Sequence, residues 1–212
     1  MLAACGGRAA APTGPEHIRG TLEGVDGQVL RVTTPAGSVR VRLAPSTHVA
    51  TVVKSDRAHI TDGSFLGIAS VTQPDGSQRA VEITVFPESM RGAGEGSYAW
   101  DLPSVAGGGT MTNGGTVSKM TNGTVSSSKM TNGTVTAHDG GSSLTLRYTD
   151  GSSRGAQTIA VPPDIPVVGL EPGHAGDLKR GAHVFVVANR NPEGVLTADR
   201  VVAGKDGVVP PM

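Results

Sequence analysis

An all-β protein with minimal helix is the fold class this sequence predicts, and three observations carry it. Glycine and proline are dense, 31 and 14 of 212 residues, so long helices would be interrupted too often and short strands joined by tight turns remain. Apolar residues make up 37% and aromatics only 3%, so any core is thin and aliphatic, built on Val, Ile and Leu. The third observation is alternation. Val39-Arg40-Val41-Arg42-Leu43 puts three aliphatics on one face and two arginines on the other, the period of a half-buried strand.

Taken in order, the first structured segment runs over residues 17–86. Gly20-Thr21-Leu22 opens a strand, Asp26-Gly27 signals a tight turn, and Val29-Leu30-Arg31-Val32 returns as the second arm of a hairpin. Ala36-Gly37 turns the chain into the Val39–Leu43 strand, which Pro45 is expected to end. Thr47–Val53 follows as a separate short strand, and Ser55–Thr61 has room for one helical turn before Gly63. Phe65–Ala69 and Ala80–Val85 are the last two strands, joined through the Pro74-Asp75-Gly76 turn.

Residues 130–206 repeat this order. Gly133-Thr134-Val135 answers Gly20-Thr21-Leu22, Asp139-Gly140 answers Asp26-Gly27, Leu144-Thr145-Leu146 answers Leu30-Arg31-Val32, and Gly151 answers Gly37. In the second half of each segment the agreement holds at one constant separation: Leu178 and Gly181 with Ile60 and Gly63, Pro192-Glu193-Gly194 with Pro74-Asp75-Gly76, Ala198 and Val201 with Ala80 and Ile83. The chain is therefore an internal duplication. A small insertion is expected between Gly151 and Leu178, including Pro162-Pro163 and Pro166. This pattern of turn glycines and aliphatic alternation resembles the OB-like β-barrel, and more narrowly the small extracytoplasmic bacterial domains catalogued as DUF5666. The resemblance implies two small OB-like barrel modules in tandem, 17–86 and 130–206, and brings no assigned biochemistry with it.

Between them lies a Gly-rich linker, 87–129, in which the phrase Met-Thr-Asn-Gly-Thr-Val is built up from Met111, Met120 and finally Met130. Only the copy at Met130 can fill the first-strand position of the second module, so the two earlier copies are expected to extend the connector. Residues 1–16 read as a flexible tether rich in Gly, Ala and Pro, and 207–212 as a C-terminal tail. Leu2-Ala3-Ala4-Cys5 resembles a lipobox, which implies lipidation at Cys5 and a protein of the periplasm or outer cell envelope held to the membrane by that anchor. With one cysteine an intrachain disulfide is excluded.

Chemistry is sparse. Lys plus Arg and Asp plus Glu are both 18, which lacks the basic excess that nucleic-acid binding uses. Arg31, Arg40, Arg42 and Arg147 offer a few cations, with only Tyr148 beside them to stack a base. No His-Glu-x-x-His or Walker loop occurs, and no cofactor motif is present. The six histidines, His17, His48, His59, His138, His174 and His183, form no ligand-spaced pair, although Met111, Met120 and Met130 supply soft thioethers. The unusual side chains gather in the linker: Glu88, Arg91, Tyr98 and Trp100, the last being the only tryptophan. These four are the predicted ligand or partner contact, with an ion pair from Arg91 to Glu88 or Glu95 and the two rings packed on a barrel end or the seam between modules.

The sequence thus predicts a non-enzymatic envelope protein that binds or scaffolds a protein, glycan or small-molecule ligand. An accessory protein handling copper or zinc through Met and His side chains is the alternative, and a single-stranded nucleic-acid binder the third reading.

Overall fold

The computed structural model describes residues 14–102, 127–139 and 142–210. Cys5, Met111 and Met120 lie outside them. Twelve strands make one continuous hydrogen-bonded sheet: β1 Glu16–Asp26, β2 Val29–Thr34, β3 Gly37–Lys54, β4 Phe65–Thr72, β5 Gln78–Val85, β6 Gly96–Trp100, β7 Ser128–His138, β8 Ser143–Asp150, β9 Ser153–Ala160, β10 Val167–Pro172, β11 His183–Arg190 and β12 Leu196–Gly204. The single turn expected before Gly63 is a 3₁₀ turn, Arg57–His59, capped by Asp56, whose Oδ1 accepts from Ala58 N at 2.8 Å.

The sheet rolls into β-barrel modules, as the alternation requires, but the rings do not follow the repeat boundaries. The first ring joins β1, β2 and β3 to β11 and β12, and closes through a parallel pairing of β12 with β3. Its core is aliphatic, with Leu22, Leu30, Val32, Val41, Val186 and Val201 fully buried. The second ring joins β7, β8 and β9 to β4 and β5, and closes through a short parallel contact, Gln78 to Ile159 and Arg79 to Ala160. Leu66, Ile68, Ile83, Leu146 and Ile159 fill it. Residues 17–86 and 130–206 are repeats in sequence, yet each lends its last two strands to the other's barrel. The long third strand carries the chain out of the first ring before β4 begins, so β4 and β5 meet β7 rather than β1.

Register shows that the exchange is two-fold. Gly20 faces Val184 just as Gly133 faces Leu66, and Val202 faces Ala50 just as Thr84 faces Val168. The axis passes through the β3–β10 pair, where Val52 faces Leu170. Their side chains, with Ala50, Val168 and Val202, form a third core cluster between the barrels.

Three local expectations are corrected. β3 runs unbroken through Pro45, because a bulge there lets Thr47 Oγ1 accept from Ala44 N at 2.8 Å and donate to Ala198 O at 2.7 Å, so the proline's missing N–H breaks no ladder bond. In the second repeat Pro162-Pro163 and Pro166 do divide β9 from β10, but they are not inserted. The register places Gly155, not Gly151, at the counterpart of Gly37, and the extra residues form the pairs Thr149–Arg154 and Asp150–Ser153 at the β8–β9 hairpin tip. The 87–129 stretch is not all linker: β6 lies within it and pairs along β7, Tyr98 opposite Met130.

The paired Gly-Thr openings have a steric cause. A Cβ on Gly20 would lie 2.1 Å from Thr33 O, and one on Gly133 would lie 2.4 Å from Arg147 O. The neighbouring strand sits too close for any side chain. Gly133→Val is expected to cost about 3 kcal/mol and lower the urea midpoint, whereas Gly14→Val, where a Cβ meets nothing within 4 Å, leaves it unchanged. A protease site introduced between residues 103 and 126 tests the exchange. After cleavage the two halves are expected to co-elute and melt in one transition. Two separately eluting folded halves would show that each repeat closes on itself.

Candidate functional site

The cluster on the two-fold axis does not fill its space. A cavity of about 320 Å³ opens beside it, lined from both repeats, at the lower end of the roughly 300–1,000 Å³ range of small-molecule sites. Its floor is Ala50 and Leu170. Phe185, Val187 and Val202 stand on one side, Gly67, Thr84 and Phe86 on the other, and β6 passes over it with Tyr98 and Trp100.

Divergence between the repeats creates this opening. Register makes Met130 the counterpart of His17, Asn132 of Arg19, and Gly67 of Phe185. On one side Arg19 lies over the Phe185 ring, 4.9 Å from its centroid, and His17 packs against Phe185 and Trp100 at 5.4 and 4.7 Å. On the other side Gly67 leaves room for the Asn132 amide: a Cβ there would lie 2.5 Å from Asn132 Oδ1.

The strap β6 is fastened at both ends. Asn132 Nδ2 donates to Gly94 O at 2.8 Å and to the Tyr98 hydroxyl at 3.2 Å. At the far end Asp101 bonds His17 Nδ1 at 2.7 Å and accepts from both Arg19 Nη atoms at 3.1 and 3.0 Å. Burial opposes the charge on Asp101, but the bonds from Arg19 and His17 outweigh it and hold the carboxyl below its ordinary range.

Polar groups gather at one end of the cavity. A Cβ on Gly94, itself a lining residue, would lie 3.1 Å from Asn132 Nδ2, 3.5 Å from Tyr98 Oη and 3.9 Å from Arg200 Nη1, so these three groups converge there. Burial raises the Tyr98 hydroxyl, partly offset by Arg200 and Asn132. Two buried polar atoms among the lining residues have no protein partner, Trp100 Nε1 and Asn132 Oδ1. Asn132 is 5% exposed, and buried polar atoms are seldom left unpaired. Most of the remaining lining is apolar, Phe86, Met90, Met130, Leu170, Val187 and Val202 among it, with His17, His48, Thr84 and Asp199 as the other polar side chains.

Of the four residues singled out from sequence, Tyr98 and Trp100 line the cavity. Glu88 and Arg91 do not. They pair with each other, Arg91 Nε to Glu88 Oε1 at 2.5 Å, and Arg91 also donates to Gly63 O at 2.8 Å, fixing the turn before the strap. Sequence reasoning missed Asn132 and Arg200. Asn132 sits in the repeated Met-Thr-Asn-Gly phrase, whose last copy reads only as the first strand of the second module, and Arg200 lies in no motif. Arg31 and Arg40 face each other across β2 and β3 as exposed side chains. Among the described residues no cluster of three or more His, Cys, Asp or Glu side chains is placed to hold a metal.

One further group is unusual. Glu82, the counterpart of Arg200, is 8% exposed, and burial pushes its carboxyl up to about 8. Folded Glu82 therefore keeps its proton across a range where the unfolded chain, ionising near 4.5, has lost it. Stability falls as pH rises between those two values and levels off above the upper one. The expected loss from pH 4 to pH 9 is on the order of a few kcal/mol, and Glu82→Gln removes it. Urea midpoints of both proteins at the two pH values check this, and an equal loss in the variant would exonerate Glu82. Comparison with family models, curated proteins and solved structures finds no match to this chain.

Proposed function

We propose that the chain is a non-enzymatic binding protein that holds a small ligand in the cavity between its two barrels. The observation that carries this reading is the cavity on the two-fold axis, two of whose lining residues, Trp100 and Asn132, each keep a buried polar atom without a protein partner, Nε1 and Oδ1. A bound molecule supplying one acceptor and one donor would satisfy both. Binding rather than catalysis is favoured because His17, the imidazole beside Trp100, is already bonded to Asp101, and neither a serine nor a cysteine lines the cavity among the described residues. A place in the cell envelope, through an anchor at Cys5, belongs to the same proposal and rests on the Leu2–Cys5 motif.

A second reading has one observation in its favour. Met90, Met130, His17 and His48 all line the cavity, a mixed thioether and imidazole set suited to a soft ion such as Cu(I). The cationic Arg200 on the same wall works against it.

Trp100 is the only tryptophan, so its emission reports on the cavity directly. Titration with small aromatic probes of each charge type, such as benzyl alcohol, phenethylamine and phenylpropionate, is expected to give saturable one-site quenching with at least one of them. A raised melting temperature accompanies it, and Val202→Phe, which fills the cavity from one side, abolishes both. Absence of saturable quenching by every probe would sink the proposal. Quenching by Ag(I) alone would transfer the site to the metal reading.

A further inference from the structure

We infer that the occupant is a small aromatic monocarboxylic acid carrying a hydrogen-bond donor next to its carboxylate, with Arg200 as the group that selects the charge. This rests on the cavity reading above and names the ligand class it takes.

Arg200 is the first observation. Its guanidinium reaches the polar end of the cavity, 3.9 Å from where a Cβ on Gly94 would lie, a position that Asn132 and Tyr98 also approach. It forms no hydrogen bond or ion pair among the described residues, although the exposed Arg91 and Arg190 each find a glutamate. Asp199, its neighbour in sequence, accepts instead from Asn189 Nδ2 at 2.5 Å. A half-buried guanidinium that lines a cavity beside a tyrosine hydroxyl is a planar fork of donors that fits a carboxylate. The same charge repels a cationic ligand.

The repeats supply the second observation. Glu82 and Arg200 occupy counterpart positions, and only Arg200 lines the cavity. The carboxylate of the pair stays outside the lining, and the one carboxylate residue that does line the cavity, Asp199, is bonded to Asn189.

Selection of the body and the donor follows from the walls. Phe86, Tyr98, Trp100 and Phe185 surround the space, with Tyr98 edge-on to Trp100 at 5.9 Å, an arrangement that receives an aromatic ring. Asn132 Nδ2 is committed to Gly94 and Tyr98, so the face Asn132 leaves unpaired is the acceptor Oδ1. It calls for a hydroxyl or amide N–H on the ligand, near the carboxylate because Asn132 and Arg200 share one end of the cavity.

Calorimetric titration of the full chain with phenyllactate, phenylpropionate, 3-phenylpropanol and phenethylamine tests this. The expected order is phenyllactate tightest, phenylpropionate weaker by severalfold, the neutral alcohol weaker by tenfold or more, and the amine without measurable binding. Arg200→Met is expected to weaken both acids at least tenfold while leaving the alcohol's affinity and the melting temperature in place. Acids binding no tighter than the alcohol, or unaffected by Arg200→Met, would overturn the inference and leave a cavity that binds by shape alone. If none of the four binds, the cavity holds water only and this inference fails together with the proposed function. A melting temperature lowered by Arg200→Met is handled with Arg200→Lys, which keeps the charge but not the planar fork and is expected to lose the acids' advantage in part.

Discussion

Everything in this structure depends on the antiparallel pairing of β3 with β10. β10 is the counterpart of the second half of β3 in the duplicated unit, and Val52 faces Leu170 where the internal two-fold axis crosses them. Without this pair the first ring and the second would meet only through connections. With it, Ala50, Val52, Val168 and Leu170 become one apolar floor shared by both repeats. Burial of such side chains contributes roughly 1.5–3 kcal/mol each, so the seam is part of the core and not a contact between finished domains.

Symmetry builds the seam, and its breaking builds the cavity. Were the two repeats identical at the axis, both sides would carry the same side chains and close alike. Instead His17, Arg19 and Phe185 stack into a closed wall, while their counterparts Met130, Asn132 and Gly67 leave space. The strap β6 covers that asymmetric side. At the corresponding place after the second repeat, Val208 buries itself where Met90 does after the first, in the same cluster. Duplication followed by divergence at a handful of positions is enough to turn a packed axis into a site.

The all-β class, the strand order and the duplication were legible in the sequence because turn glycines and alternating aliphatics act locally. Gly63 and Gly181, or Gly76 and Gly194, need positive φ values of 84–87°, and any reader of turns finds them. The choice of Met130 as the copy that enters the second barrel was legible for the same reason, since the glycine three residues on must pass close to Arg147 O. The exchange of β4 and β5 for β11 and β12 was not legible. Both arrangements use the same strands with the same faces inward, and only the reach of β3 past Pro45 decides between them. Of the site, Tyr98 and Trp100 stood out by rarity in a chain with few aromatics. Asn132 and Arg200 did not, because what singles them out is an unfilled hydrogen bond and a missing counter-ion, properties that exist only once distant strands have met.

The exchange also fixes when this protein can fold. β1, β2 and β3 emerge first during synthesis but cannot close their ring until β12, ending at Gly204, has left the ribosome. The half-built barrel must meanwhile expose the β1 and β3 edges that β11 and β12 will cover. Contacts spanning nearly the whole chain make such closure slow, and open edges invite pairing with another nascent copy. Two chains held close on one message could therefore complete each other's rings, turning an exchange within one molecule into an exchange between two.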